Sequence, residues 1–154
     1  MSVSPARHAS APLEEKAFIA ILRVADGLEQ QAAAMLKGYG LTATQYNALR
    51  ILRGGGPGGL ACGEIGDRMI NHDPDITRLL DRLKRRGLIS RKRGQKDRRI
   101  NKTFITSSGL TLLETMDRPV ETFHRQLLGR VNNKRLRNLI RMLDECEGTL
   151  GKPR

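Results

Sequence analysis

The sequence predicts a mainly α-helical fold that carries one small β-hairpin, and three observations lead to this prediction. Apolar residues recur at three- to four-residue spacing over most of the chain, as they do in amphipathic helices. Two short segments that carry β-branched or aromatic residues, 88–93 and 99–105, lie on either side of turn residues and are typical of a hairpin. Residues 78–102 contain twelve Lys or Arg and two acids, so they hold ten of the twelve net positive charges. A polyanion is therefore the expected partner.

The N-terminal part is predicted to hold a tail and two helices. Residues 1–12 are small and polar with two prolines, which is typical of a disordered end. Residues 13–37 carry a continuous apolar stripe and are followed by glycines, which predicts one long amphipathic helix. Thr42 and Gln45 form a capping-box pattern for a second helix that extends to Arg53. The run GGGPGG that follows is predicted to be a turn.

The next segment predicts a helix-turn-helix. Residues 60–70 are weakly helical, with Ile65 and Met69 expected to face inward. After a short break, Asp73 is a suitable N-cap and Pro74 suits the first position of a helix that a glycine ends. The apolar face of this helix comprises Ile76, Leu79, Leu80 and Leu83. Two short helices joined by a tight turn and followed by a basic hairpin constitute a winged helix-turn-helix.

Two more helices are predicted after the hairpin. Thr106 caps the first of them, and Pro119 inside it is expected to kink or break it locally. Asn132 or Asn133 starts the last helix. At this length one compact domain, 13–150, is the default, with a short tail at 151–154.

Several segments resemble one family in consistent order over residues 14–148. The resemblance is to the multiple-antibiotic-resistance regulator (MarR) family of winged helix-turn-helix proteins. The segments that carry it are ITRLLDRLKRRGLI (76–89), DRR (97–99), ITSSGLTLL (105–113), LTATQYNAL (41–49) and GEIGDRM (63–69). The resemblance implies a homodimeric, ligand-responsive transcription regulator, in which 13–38 and 107–150 form the dimer interface and 41–106 binds DNA.

The charge distribution independently favours this arrangement. Residues 14–50 carry four basic and four acidic side chains, and residues 110–150 carry seven basic and six acidic ones. Two like-charged subunits repel least where they meet at nearly neutral segments. A dimer formed there leaves both basic faces available to double-stranded DNA, and its operator is expected to be pseudo-palindromic.

The second helix of the predicted helix-turn-helix, which begins at Asp73, is the recognition helix. Its outer side is expected to enter the major groove. The expected contacts on this helix are Asp75, Thr77, Arg78, Arg82 and Arg85. Arginine is suited to a bidentate contact with guanine O6 and N7. The alternative for Arg78, Arg82 and Arg85 is a solvated helix face paired with Asp81. Asp75 either reads cytosine N4 or is present because an acid in the first turn favours the helix dipole.

The wing is the predicted hairpin, formed by segments 88–93 and 99–105. It is expected to lie across the DNA backbone and reach a minor groove. The expected contacts in the wing are Arg91, Lys92, Arg93, Lys96, Arg98 and Arg99. The resemblance implies that Asp97 braces the wing through an ion pair and that Arg98 or Arg99 inserts into a narrow A·T segment. The alternative is a disordered, solubilising loop.

Many members of the family bind small aromatic or lipophilic effectors in a crevice between the dimer helices and the winged domain. By that resemblance the candidate effector contacts are Phe18, Leu22, Tyr46, Leu49 and Phe123. Each of these side chains also lies on a face that a packed core would use.

Other functional classes are disfavoured. The histidines, at 8, 72 and 124, have no acid or cysteine at metal-ligand spacing, so no catalytic centre, metal or cofactor is expected. Cys62 and Cys146 lie far apart in a chain without a signal-peptide pattern or a run of membrane-spanning length, so we expect a cytoplasmic protein with reduced thiols and no membrane partner. At the start of a helix Cys62 could be redox-active, or it could simply be a small buried or capping residue.

The remaining alternative is a basic architectural or RNA-binding protein without operator specificity. The absence of Trp argues against base stacking on a sheet.

Overall fold

The computed structural model describes residues 11–71, 75–93 and 101–150, and the chain divides into two compact units, Met1–Ala43 and Thr44–Arg154. Within the described residues there are six helices and three short strands. In chain order they are α1 (Leu13–Lys37), α2 (Ala43–Gly54), β1 (Leu60–Ala61), α3 (Cys62–Arg68), α4 (Ile76–Arg85), β2 (Ile89–Arg93), β3 (Asn101–Ile105), α5 (Ser107–Leu128) and α6 (Asn133–Leu150). The predicted tails fall, apart from residues 11 and 12, outside the described residues.

The first unit is essentially the long helix α1, with the bounds that the apolar stripe predicts. The helix ends where the Gly38 N–H bonds to the Met35 carbonyl and Gly40 takes a positive φ of 66°. Within this unit Leu36 is buried, whereas Phe18 and Leu22 are 62% and 53% exposed. Most of the apolar stripe of α1 is therefore accessible in the single chain.

The core of the second unit is built from side chains that almost no solvent reaches. The largest of them are Leu49, Ile65, Leu80, Leu83, Leu113, Met116 and Thr103. Burying one Leu or Ile side chain stabilises a fold by roughly 1.5–3 kcal/mol. Leu79 is buried with Leu80 and Leu83, so the predicted inner face of α4 is confirmed, and Ile76 is half-buried at its start. Ile65 is buried as predicted and Met69 is half-buried.

The strands form one antiparallel sheet in the order β1-β3-β2. Leu60 pairs with Thr103 on one side of β3, and Arg91 pairs with the same residue on the other. The predicted hairpin of β2 and β3 is confirmed, but the prediction that residues 60 and 61 belong to a helix is wrong. Two residues are too few to show a strand period, and the partner of Leu60 is distant in sequence. Gly59 allows the approach, because it has a φ of 63° and a Cβ there would collide with the Phe104 ring.

Two details of the helices correct the sequence predictions. The N-cap of α4 is Asp75 and not Asp73, which lies with Pro74 outside the described residues. Pro favours the first helical position, which is why the pattern placed the cap two residues early. Pro119 does not break α5, which continues as one helix. A proline removes one main-chain hydrogen bond, and the buried Met116 and Val120 on either side keep the helix packed.

Other helix ends follow the sequence. The Thr106 hydroxyl accepts from the Gly109 N–H at 3.2 Å and so caps α5, and the Asn132 side chain accepts from the Arg135 N–H at 2.9 Å before α6. None of the helices in the described residues combines the length and apolar character that crossing a membrane requires.

Candidate nucleic-acid interface

The helix-turn-helix consists of α3 and of α4, which is the recognition helix, and a side chain of α2 holds the backbone just after α3. Ile65 is fully buried and fastens α3 to the core. After α3 the Ile70 N–H donates to Asn47 Oδ1 at 2.9 Å. The Ile70 side chain is 84% exposed, which is unusual for a large apolar residue. The approach to the recognition helix is therefore held by its backbone and leaves an apolar side chain at the surface.

The start of α4 is organised by one carboxylate. Asp75 Oδ1 accepts from the Arg78 backbone N–H at 3.2 Å, which is the N-cap bond. Asp75 Oδ2 lies 3.1 Å from Arg78 Nε. Both oxygens of Asp75 therefore contact the same arginine, one through its backbone and one through its side chain.

The outer side of α4 is exposed, as the helical pattern predicts. Thr77, Arg78, Arg82 and Arg85 are all exposed, with Lys84 and Arg86 beside them. The opposite side holds the buried leucines, so packing sets the orientation of the helix and leaves its cationic side accessible. Contact of these residues with bases or phosphates stays a prediction.

Asp81 forms an ion pair with a residue of β2 and not with an arginine of its own helix. Its Oδ1 accepts from Arg91 Nη1 at 2.8 Å, rather than from Arg82 or Arg85 on its own helix. The Arg91 side chain is only 23% exposed. This ion pair joins the recognition helix to β2 and engages a side chain that was predicted to contact DNA.

The remaining described part of the wing carries two further cations. Lys92 is exposed, with its Nζ 5.7 Å from the centre of the Phe104 ring. Lys102 donates to Glu64 Oε2 at 2.9 Å, which joins β3 to α3. The predicted wing contacts Lys96, Arg98 and Arg99 and the predicted brace Asp97 lie outside the described residues, as does the side chain of Arg93.

Glu64 also completes the start of α3. Ala61 is the N-cap and has no side-chain acceptor, so Glu64 Oε2 accepts the Ala61 N–H at 2.6 Å instead. The Ala61 N–H, and after it the Lys102 ammonium, hold the pKa of the Glu64 carboxyl below its ordinary value. An ionised Glu64 therefore ties together β1, α3 and β3 at the base of the wing.

The candidate effector contacts differ in their surroundings. Leu49 is fully buried in the second unit, as a core residue is. Tyr46 is half-buried with the Arg50 guanidinium 5.9 Å from its ring centre, and Phe123 is half-buried beside the His124 ring. Phe18 and Leu22 lie on the exposed stripe of α1. Contact of any of them with an effector stays a prediction.

The two cysteines are both free thiols. Cys62, the first residue of α3, is half-buried, and Cys146 on α6 is exposed.

Comparison with known proteins gives one consistent result. A family model described as MarR family matches residues 39–100. A MarR transcription factor from Planctomyces limnophilus is 36% identical, with a TM-score of 0.68, and the match covers 87% of this chain and 97% of that one. The HTH-type transcriptional regulator MhqR of Bacillus subtilis (strain 168) is 30% identical over 98 residues, which are 64% of this chain and 66% of MhqR. This chain thus spans just under two thirds of MhqR. MepR from S. aureus, solved in a complex with DNA, shares the fold with a TM-score of 0.77 at 21% identity, covering 85% of this chain and 96% of that one.

The helix-turn-helix, its cationic recognition helix and the antiparallel wing define a winged helix-turn-helix DNA-binding protein. The chain belongs to the MarR family of transcription regulators. The family resemblance seen in the sequence is thereby confirmed, together with the predicted fold class.

Proposed function

We propose that the protein is a homodimeric repressor that binds a pseudo-palindromic operator in double-stranded DNA. The observation that carries the proposal is the two-sided α4, with leucines buried on one side and Arg78, Arg82 and Arg85 exposed on the other. A helix of this kind fits the major groove, where arginine distinguishes guanine from the other bases. The complex of MepR with DNA gives further support, since that protein has the same fold.

The wing is proposed to lie across the DNA backbone, where its cations contact phosphates, and to reach an adjacent minor groove through Arg98 or Arg99. Lys92 is an exposed cation on β2, and Lys96, Arg98 and Arg99 extend the same positive segment in the sequence. Arg91 is proposed to brace β2 against α4, because Asp81 already holds its guanidinium. If the dimer neutralises about ten phosphates, affinity should fall on the order of 10⁵-fold between about 50 and 200 mM salt.

The dimer is proposed to form through the helices at the two ends of the chain, 13–38 and 107–150. No residue of α6 is buried in the single chain, although its sequence carries an apolar stripe. Its exposed apolar side chains include Leu139, Ile140, Met142 and Leu143. Accessible apolar stripes on α1 and α6 are what a second copy of the chain would cover.

The dimer can be tested with two variants of α6. Ile140→Glu places a charge on the exposed apolar stripe and should produce a monomer in analytical ultracentrifugation. Asn138→Glu adds the same charge at an exposed position on the opposite side of the helix, removes no apolar side chain and should leave the dimer intact. A variant Ile140→Glu that remains dimeric would contradict this interface.

A small aromatic or lipophilic effector is proposed to release the repressor. Tyr46 and Phe123 are the best-supported contacts, because each ring is half-buried and so presents apolar surface without being fully enclosed. Phe18 and Leu22 are further candidates, whereas Leu49 has no accessible surface.

Because the proposed target of the protein is chromosomal DNA, we propose that the protein is located in the cytoplasm.

Selection of bound genomic fragments tests the proposed function. Purified protein is mixed with fragmented genomic DNA, including the region upstream of its own gene, and the retained DNA is sequenced. Enrichment of an inverted repeat with half-sites about one helical turn apart, roughly 34–36 Å, is the expected result. Uniform, salt-sensitive retention of every fragment would instead indicate an architectural protein that binds phosphate alone, and a preference for RNA would indicate an RNA-binding protein.

A further inference from the structure

We propose that Asp75 determines DNA specificity by positioning Arg78, so that the terminal nitrogens of its guanidinium are presented to a guanine in the major groove. This inference rests on the proposed function, because it requires that α4 enters a major groove. In this proposal Asp75 does not read cytosine, and it does more than cap the helix.

The geometry of the pair is the first support. Asp75 Oδ1 accepts the Arg78 N–H at 3.2 Å and Oδ2 lies 3.1 Å from Arg78 Nε. A single carboxylate therefore fixes both the backbone of the arginine and the inner part of its guanidinium. Bidentate recognition of guanine O6 and N7 needs two guanidinium N–H groups, and the two terminal nitrogens lie at the far end from the chain. The contact of Asp75 with Nε is therefore compatible with a contact between the two terminal nitrogens and guanine.

The exposure of the pair is the second support. The Arg78 side chain is 79% exposed and that of Asp75 is 48% exposed. An ion pair this accessible adds little to the stability of the fold, because solvent screens it and the long side chain loses freedom. In the groove, where water is displaced, the same pair is screened less. An arginine that is already held also loses less side-chain freedom when it binds a base.

The charge of Asp75 makes the inference testable. A carboxylate at this position repels phosphates, so it lowers affinity for DNA of any sequence. If it also orients Arg78, it raises the preference for one base. Removing the charge should therefore change general affinity and base preference in opposite directions, which a role confined to capping does not predict.

The experiment compares Asp75→Asn with wild type. Asparagine caps a helix about as well as aspartate, so the fold should be retained, and thermal unfolding checks this. Arg78→Ala identifies the base position that the arginine reads. Glu121→Gln is the matched control, because it also removes an acid from an exposed ion pair, that with Arg125, but on α5 and outside the segment proposed to bind DNA. Analytical ultracentrifugation checks that this variant remains a dimer. Each protein is equilibrated with a randomised half-site library at constant salt, and base frequencies in the bound DNA are determined by sequencing.

We expect Arg78→Ala to abolish the preference for guanine at one position of each half-site, and Asp75→Asn to reduce that preference about two- to fivefold, the size of an exposed ion-pair contribution. Affinity for unrelated DNA should be higher in Asp75→Asn, whereas Glu121→Gln should match wild type in both affinity and base preference. An unchanged guanine preference in Asp75→Asn would overturn the inference, and so would a loss of preference spread equally over all positions. Failure of Arg78→Ala to affect any single position would overturn it as well. If wild type itself selects no sequence, the proposed function fails instead.

Discussion

Replacing Arg91 by alanine should weaken the fold and leave the salt dependence of DNA binding nearly unchanged. Arg91 Nη1 lies 2.8 Å from Asp81 Oδ1, and the arginine side chain is 23% exposed. Exposed ion pairs contribute about 0.2–1 kcal/mol, and hydrogen bonds to charged groups about 1.5–3 kcal/mol. A half-buried pair lies between these ranges. We therefore expect a coupling energy of about 1 kcal/mol in a double-mutant cycle with Asp81→Ala, measured by urea unfolding at fixed protein concentration.

The salt dependence of DNA binding separates the two roles of Arg91. Each phosphate contact contributes about 0.9 to the slope of log K against log salt. A dimer that loses one such contact in each subunit should lose about 1.8 from this slope. Lys92→Ala is the matched control, because Lys92 is the next residue and is exposed. We expect Lys92→Ala to reduce the slope by about this amount and Arg91→Ala to reduce it by less than about 0.5. Equal reductions in slope, together with a coupling energy near zero, would refute the bracing role.

Three other substitutions test the fold that presents the interface. Because the pKa of Glu64 is lowered on folding from its ordinary value of 4.5, its contribution to stability is present above that value and is lost as the pH falls through the lowered pKa. The drop in Tm caused by Glu64→Gln should accordingly be present at neutral pH and shrink in acid, and a pH-independent drop would contradict this. Leu80→Ala, at a fully buried position of α4, should cost about 2–5 kcal/mol of unfolding free energy in urea, and a loss below about 1 kcal/mol would contradict close packing. A Cβ at Gly109 would collide with the Leu88 carbonyl, whereas Gly63 has open space. Gly109→Ala should therefore lower Tm and Gly63→Ala should not, and equal effects would refute the close approach.

The helices were predictable because their signals are local. The apolar stripe of α1 and the leucines of α4 follow from spacing along the chain, and the glycine after α4 takes the positive φ that ends it. Thr106 and Asn132 show their capping roles in sequence because a cap acts within three residues.

The parts that the sequence did not predict depend on contacts between distant residues. Leu60 becomes a strand only because β3 lies beside it, and two residues have no period of their own. Asp81 has Arg85 four residues further along its own helix, so the rule for neighbouring turns pointed to that arginine, whereas Arg82 is the next residue and does not face Asp81. Its actual partner, Arg91, comes within reach because the chain reverses after α4 and returns as β2. The cap of α4 is a different case, because Pro74 favoured Asp73 in the local pattern whereas the structure uses Asp75.

The central claim, that α4 reads bases in duplex DNA, is tested most directly by comparing two duplexes in one titration. One duplex carries the inverted repeat obtained by selection, and the other has the same base composition with both half-sites scrambled. At about 150 mM salt a specific regulator should bind the intact repeat at least about 10³-fold more tightly. Equal affinity for the two duplexes, with the same salt dependence, would contradict the account and leave only a cationic surface that binds phosphate.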